Sequence, residues 1–396
     1  MADISVDDRD TLIENVQTQQ NRSGCLHKRL SIFVVVLILI VSGHLAAIYL
    51  SHFKDKPINI AEDVKVPFLN TFSQPERLIG KLSEQNCECK NGDICVSDFK
   101  VLSFNTWGMP ERLGSEDKTQ RMAAIAKELS KGQYDLYLFE GLWMRGDYWT
   151  IHGALPEGYQ MTEYWQLTHG KCDGVIGPDG CSGLSVVSKY PIVETQFYLY
   201  DICGDPAKIF IDGECLASKG VGRVRLANMR GLVNVTMDVY ITHTVGDPPA
   251  GWGYKNTAYR VKQVEQLVDE ILKESTADVL ILAGDLNAGP DFNKSAPYQI
   301  VRDYMQNSIE DIYVEWLQPR WGTYANELNT WSNGSGDPII YDYIFHRSMN
   351  ESKVQMCTSS YQMPILKTPV RDKNVSLSDH EAISASFAIN QKKSRP

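Results

Sequence analysis

The chain has 396 residues, 43% of them hydrophobic, 10% aromatic and 22% charged, with 49 acidic against 39 basic residues for a net charge of -10. That composition excludes a chain disordered over most of its length and is rich enough in apolar residues for one large core or two ordinary ones. The acidic balance also argues against broad, nonspecific nucleic-acid binding, because neutralising phosphates needs a basic surface, while leaving room for a local basic groove.

Residues 1–30 are polar and open with an acidic run from Asp3 to Asp10, the pattern of a solvated tail. Ser31 to Leu50 follows without an acid, a lysine or an arginine, and Ile32 to Val41 is apolar throughout. At about 1.5 Å per residue this stretch reaches roughly 30 Å, the thickness of a hydrocarbon core, so a transmembrane helix is expected over 31–50. A buried soluble helix and a cleavable signal peptide are the competing readings, although the tail ahead of the run is long for a signal peptide. The flanking lysines and arginines are matched on the two sides and do not orient the span.

Cysteines and glycosylation patterns orient it better. Only Cys25 precedes the span, and eight cysteines follow it: Cys87, Cys89, Cys95, Cys172, Cys181, Cys203, Cys215 and Cys357. Pairs such as Cys172/Cys181 and Cys203/Cys215 close short loops in an oxidising compartment, with reduced buried thiols as the alternative. Asn234, Asn293, Asn333, Asn350 and Asn374 each stand two residues before a Ser or Thr, as glycosylation acceptors do. The expectation is a single-pass type II protein: a cytosolic tail, a signal anchor at 31–50, a juxtamembrane stalk with a cysteine cluster at 51–97, and an extracellular or luminal domain at 98–390. Residues 391–396 form a short C-terminal tail.

Within 98–390 the run Phe99–Phe104 has the apolar content of a buried strand and stops at Asn105. Met122, Ile125, Ala126 and Leu129 recur at helical spacing before Gly132, and Leu136–Phe139 is a second strand stopping at Glu140. Val261, Val264, Val268, Ile271 and Leu272 mark a later helix, followed by a strand at Val279–Ala283 that ends at Gly284 and Asp285. The pattern is α/β, and in such domains ligands gather where strands end.

The residues at those ends are Asn105, Glu140, His243, Asp285 with Asn287, Asp342, and Asp379 with His380. Singly, each has an ordinary reading as a turn cap, an Asx turn or a hydrogen-bonded histidine. Together, Glu, Asp and Asn supply hard oxygen ligands suited to Mg2+, and the histidines supply an acid and a base near neutral pH. No His-Glu-x-x-His or paired Cys-x-x-Cys pattern points to zinc.

The segments VLSFNTWGMP, the Glu140 stretch, SGLSVVSKYPI, LASKGVG, YITHT, AGDLNAGP, YDYIF and SDHEA follow one another from Phe99 to Phe387. In that order they resemble the endonuclease/exonuclease/phosphatase superfamily and, within it, the neutral sphingomyelinases. The resemblance implies a four-layer α/β sandwich, two central mixed β-sheets flanked by helices. It implies Mg2+ held chiefly by Glu140, assisted by Asn105, with Asp379 near the metal. His380 resembles the general base, oriented by Asp342. His243 resembles the group that contacts phosphate and protonates the leaving alcohol, and Asp285 with Asn287 the pair that positions nucleophile and phosphate. Lys219 in LASKGVG matches the lysine of an acid–lysine switch whose acid is here Glu214, where the family's best-known member has Asp; an ordinary solvated lysine is the other reading. FEGLW at 139–143 departs from the usual QEVW or EEVW but retains Glu140.

The activity implied is hydrolysis of membrane sphingomyelin to ceramide and phosphocholine. A DNase-like or other phosphodiesterase with the same catalytic set is the alternative, and a receptor ectodomain that has lost catalysis a third. No nucleic-acid partner is expected, since the residues after Leu50 include 44 acids against 35 lysines and arginines. Pro248, Pro249, Gly251 and Gly253 predict an irregular loop from Gly246 to Tyr259, beside His243 and suited to substrate entry.

Overall fold

A computed structural model describes residues 77–80, 89 and 92–393, apart from 112–113, 171–180, 209–212, 230, 249–254, 291–295, 309–321, 326–327, 333–338 and 352. The chain divides into two units, 1–71 and 72–396, and the described residues belong to the second. The expected tail, the span at 31–50, and Asn293 and Asn333 lie outside them. Among the described residues no helix is long and apolar enough to cross a membrane.

The described chain begins with β1 (Arg77–Gly80), β2 (Ile94–Asn105), α1 (Lys118–Ser130), β3 (Leu136–Glu140), α2 (Arg145–His152), β4 (Gln160–Met161) and β5 (Ser185–Ser188). It continues through β6 (Ile192–Leu199), β7 (Gly220–Leu226), β8 (Met237–His243), α3 (Thr257–Gln266, prolonged by a π turn at Leu267–Leu272), β9 (Val279–Asp285) and α4 (Pro297–Tyr304). The remaining strands are β10 (Gln306–Asn307), β11 (Asp342–Ser348), β12 (Val354–Pro364), the hairpin β13 (Lys367–Val370) and β14 (Lys373–Ser376), and β15 (Ile383–Gln391). One sheet runs β1-β12-β15-β2-β3-β5-β4 and the other β10-β11-β9-β8-β7-β6.

The near-continuous apolar runs are explained by burial on both faces of each sheet. Because successive side chains point to opposite faces, Leu136 and Leu138 pack between the sheets with Val101, Val239, Ile281 and Ile344. Tyr137 and Phe139 point the other way, onto Met122, Ile125 and Leu129 of α1 and Tyr148 and Ile151 of α2. On the far side, Tyr240, Leu280 and Leu282 pack against Val264, Leu267, Val268 and Ile271, and against Tyr298 and Val301 of α4. The layers are helix, sheet, sheet, helix, as the sequence resemblance implied.

Two expectations are corrected. β1 pairs with β12, and β2 begins at Ile94, so the sheet reaches back into the segment 51–97 expected to be a stalk. The loop expected from Gly246 to Tyr259 ends earlier, since Thr257–Tyr259 is the first turn of α3. Its described part is anchored by Arg260, whose guanidinium makes two hydrogen bonds to Asp247, at 2.9 and 3.0 Å.

Cys203 and Cys215 form a disulfide, as their spacing suggested, and so do Cys89 and Cys95; Cys181 and Cys357 each belong to a further disulfide, and Cys172, expected to pair with Cys181, lies outside the described residues. The Cys203–Cys215 bridge closes a 12-residue separation. Replacing both by serine should lower stability by about 2–4 kcal/mol through the greater freedom of the unfolded chain, read as a lower thermal midpoint that reductant no longer shifts at this bridge.

Candidate active site

Each sheet contains one parallel strand pair, and those two pairs build the site. β2 and β3 run parallel with Asn105 in register with Glu140, and β8 and β9 run parallel with His243 in register with Asp285. β11 runs antiparallel to β9 and starts with Asp342 opposite Asp285. Asp379 and His380 lie just ahead of β15, whose Ile383 pairs with Ser103 near the end of β2. Seven residues from different parts of the chain therefore meet at one edge of the stacked sheets, and Asn105 joins the two sheets by donating Nδ2–H to Asp285 Oδ2 over 3.0 Å.

Asp285 is the centre of the cluster. Its Oδ1 accepts from the backbone N–H of Asn287 (2.7 Å), which has a left-handed φ of 46°, and Asn287 Nδ2 donates to the Thr244 carbonyl (3.1 Å). Its Oδ2 lies 3.5 Å from His243 Nε2 and 3.7 Å from His380 Nε2. His380 Nδ1 is 2.8 Å from Asp342 Oδ2, the pairing expected of a base and its orienting acid. Asp285, Asp342 and His380 each bring one ligand atom within 4.8 Å of the others.

Glu140 is fully buried. Ser103 Oγ donates to its Oε1 (2.9 Å), while Oε2 has no hydrogen-bond partner. Burial, followed by the nearby Asp342 and Asp285 carboxylates, pushes the Glu140 carboxyl well above its ordinary pKa. An orphaned carboxylate oxygen among further carboxylates is the environment a divalent cation relieves. Asp379 stands beside His380, accepts from Ser378 Oγ (3.2 Å), and feels the Arg121 charge. Among the described residues it lies outside the trio that converges within 4.8 Å, as does Glu140.

The two imidazoles sit in opposite environments. Burial lowers the His380 pKa, but Asp342 and Asp285 outweigh it and raise the group to about 10. Burial and then the Lys219 charge hold His243 well below its ordinary value, so it is neutral at pH 7.

Lys219 is 5% exposed, which overturns the reading of it as a solvated loop lysine. Its ammonium pairs with Glu214 at 3.1 Å, donates to the Thr244 carbonyl (3.1 Å), and lies 5.6 Å from the centre of the Trp143 ring. Trp143 packs beside His243, with ring centres 5.9 Å apart. Of the possible glycosylation sites, Asn234, Asn350 and Asn374 are exposed.

The departure at FEGLW has a structural consequence. Gly141 has φ +68°, and a Cβ there would lie 2.5 Å from Asn105 Oδ1. Gly141→Ala should therefore cost about 1–3 kcal/mol of stability and displace Asn105 from Asp285. Thermal unfolding beside an activity assay checks this, and an unchanged midpoint with full activity would refute it.

The residue pattern had not singled out Ser103, Arg121, Tyr324 or Tyr341. For Arg121 a signal existed: it falls on the same helical stripe as Met122, Ile125 and Leu129, where an arginine is out of place unless its charge has work to do inside.

Stacked mixed sheets between helices, with acids, amides and two histidines at the strand ends, define the class. The chain belongs to the Endonuclease/Exonuclease/phosphatase family, which it matches over residues 102–380. Within that family it is similar to "Sphingomyelin phosphodiesterase 2" of Homo sapiens, 30% identical over 309 residues, 74% of this chain and 64% of that protein. It is also similar to the "Putative neutral sphingomyelinase" of Drosophila melanogaster, 27% identical over 301 residues, 75% of this chain and 62% of that protein. The chain thus spans somewhat under two thirds of the length of these two relatives. Among solved structures, the crystal structure of SmcL shares the fold, with TM-score 0.53 and 18% identity over 74% of this chain and 99% of that one.

Proposed function

We propose that the chain is a Mg2+-dependent phosphodiesterase of the phospholipase C type that hydrolyses sphingomyelin to ceramide and phosphocholine. The observation that carries this reading is the convergence of two imidazoles on Asp285 Oδ2, at 3.5 and 3.7 Å, one of them backed by Asp342. The sphingomyelin part rests on the likeness to relatives named for that lipid.

In this mechanism His380, oriented by Asp342, takes a proton from water as its oxygen attacks phosphorus. The bond from phosphorus to the ceramide oxygen breaks, and His243 returns a proton to that oxygen, leaving ceramide as an alcohol and the water oxygen on phosphocholine. Asp285 and Asn287 hold the attacking and phosphoryl oxygens between the rings. Glu140, with its orphaned Oε2, is assigned as the main holder of the metal, helped by Asn105 and Asp379. The trio Asp285, Asp342 and His380 is assigned to proton handling, because His380 Nδ1 and Asp342 Oδ2 already bond each other. When bound, Mg2+ supplies Lewis-acid charge for the phosphoryl oxygens and offsets the carboxylates that otherwise hold His380 protonated. Lys219 lies where its charge supports a phosphate at His243, and Glu214 is placed to regulate it through their ion pair.

The proposed topology is a single-pass type II protein anchored at 31–50, with the catalytic domain extracellular or luminal. The disulfides and the exposed Asn234, Asn350 and Asn374 support it. Glycosidase treatment of the cell-derived protein should increase its gel mobility; no shift counts against the topology. For the activity, the full chain is offered labelled sphingomyelin, lysophospholipid and DNA, each with Mg2+ or with chelator. Release of phosphocholine from sphingomyelin only with Mg2+ is expected, and cleavage of DNA alone overturns the lipid assignment.

A further inference from the structure

Among the described residues, three sets of aromatic rings stand close to the strand-end cluster, and a lysine or arginine covers two of them. The Arg121 guanidinium lies 4.7 Å from the centre of the Trp107 ring, and the Lys219 ammonium 5.6 Å from that of Trp143. The third set differs. Tyr324 and Tyr341 stack with ring centres 5.4 Å apart and planes 26° from parallel, and among the described residues no lysine or arginine lies over either ring.

The position of this pair is fixed by backbone contacts. Tyr324 exchanges hydrogen bonds with Ile339, N–H to carbonyl in each direction (3.0 and 3.1 Å), and forms a bridge to His380. Tyr341 immediately precedes Asp342; its carbonyl accepts from Leu286 N–H (2.8 Å), and its own N–H donates to Thr323 Oγ1 (2.9 Å). The Tyr324 ring centre is 5.0 Å from that of His380, yet Tyr324 remains 37% exposed. Burial, then the Asp379 and Asp285 carboxylates, raise the pKa of its phenol.

An exposed pair of stacked aromatic rings suits a large, weakly hydrated cation. A quaternary ammonium has no N–H to donate, so aromatic faces rather than carbonyls are its usual recognition surface. In phosphocholine the ammonium is two carbons from a phosphate oxygen, so a phosphate held at His380 brings it within reach of the neighbouring ring.

We propose that Tyr324, stacked on Tyr341, is the subsite that reads the quaternary ammonium of the substrate headgroup and sets the preference for choline over uncharged or anionic headgroups. This rests on the phosphodiesterase reading above and deepens it.

The test compares kcat/KM of the full chain, in mixed micelles with Mg2+, for sphingomyelin and for its neutral isostere carrying a 3,3-dimethylbutyl group in place of choline. The intact protein should prefer the charged headgroup by roughly 3- to 30-fold. Tyr324→Ala and Tyr324→Leu should each abolish most of that preference, read as the ratio of kcat/KM on the two lipids for the same variant. Tyr324→Phe, which keeps the ring face, should retain the preference. Equal rates on the two lipids by the intact protein overturn the subsite alone. So does a preference that survives in both ring-less variants, or an equal loss on both lipids. Failure of the intact protein to cleave either lipid overturns the phosphodiesterase reading and the subsite with it.

Discussion

His380→Ala is expected to lower kcat on sphingomyelin by about 10²- to 10⁴-fold, the contribution typical of a general base. The expectation follows from the ring's position, with Nδ1 2.8 Å from Asp342 and Nε2 3.7 Å from Asp285 Oδ2. Asp342→Asn should approach the same loss, because an amide can hold the ring in the wrong tautomer and no longer favours the charged form that follows proton transfer. Groups acting as one unit are not additive, so the double variant should be little worse than His380→Ala alone. Removing the imidazole also leaves buried carboxylates without their cationic partner, at a cost of about 3–5 kcal/mol when no metal is bound. Rates therefore have to be read per folded molecule, below the variant's unfolding transition. A His380→Ala enzyme within threefold of the parent at that temperature removes His380 from the role of base.

The same site shows why the acid and base roles need ligands to be in place. In the protein alone His380 is held protonated and His243 neutral, the reverse of what a base and an acid require. The causes are local: carboxylates around His380, and burial with the Lys219 ammonium near His243. Positive charge beside Glu140 acts on the first, and an anionic phosphate beside Lys219 on the second, so both shifts run in the needed direction when metal and substrate bind.

What could be read from the residue order, and what could not, follows from how each group reaches the site. Asn105, Glu140, His243 and Asp285 end apolar runs, and the two parallel pairs place them in register, so strand ends alone were informative. Asp342 and His380 were legible for the same reason, as polar breaks beside β11 and β15. Tyr324 belongs to no strand and arrives through isolated bridges to Ile339 and His380, which leave no periodic trace. Ser103 is an interior residue of β2 whose role appears only when β3 brings Glu140 alongside. The four-residue β1, RLIG, is too short for a pattern to mark its pairing with β12. For Lys219 the residue type was compatible with either a surface loop or a site, and only its burial against Thr244 and Trp143 decides.

Arg121→Met is expected to damage both stability and turnover, because this one side chain ties together the two loops that carry the catalytic groups. Arg121 is fully buried, and all three of its guanidinium nitrogens are bonded. Nε donates to the Glu116 carbonyl (2.8 Å), Nη1 to those of Thr106 (3.0 Å) and Leu377 (2.8 Å), and Nη2 to the Trp107 carbonyl (3.0 Å) and Ser115 Oγ (2.6 Å). Thr106 and Trp107 directly follow Asn105, and Leu377 lies two residues before Asp379, so the guanidinium sets the spacing between β2's end and the base. Burial lowers its pKa to about 10, which still leaves it charged at pH 7. Methionine fills similar space but strands four carbonyls, at about 1–3 kcal/mol for each that stays dry, so a loss of at least ~3 kcal/mol and a thermal midpoint lower by ~6 °C or more are expected. Loosened loops near the reacting atoms should lower kcat of the folded variant by a further ~10- to 100-fold with little change in KM. Arg121→Lys should rescue little, since an ammonium has three donors and cannot reproduce the planar fork. A methionine variant that keeps both its midpoint and its kcat would show that the two loops hold their positions without this clamp.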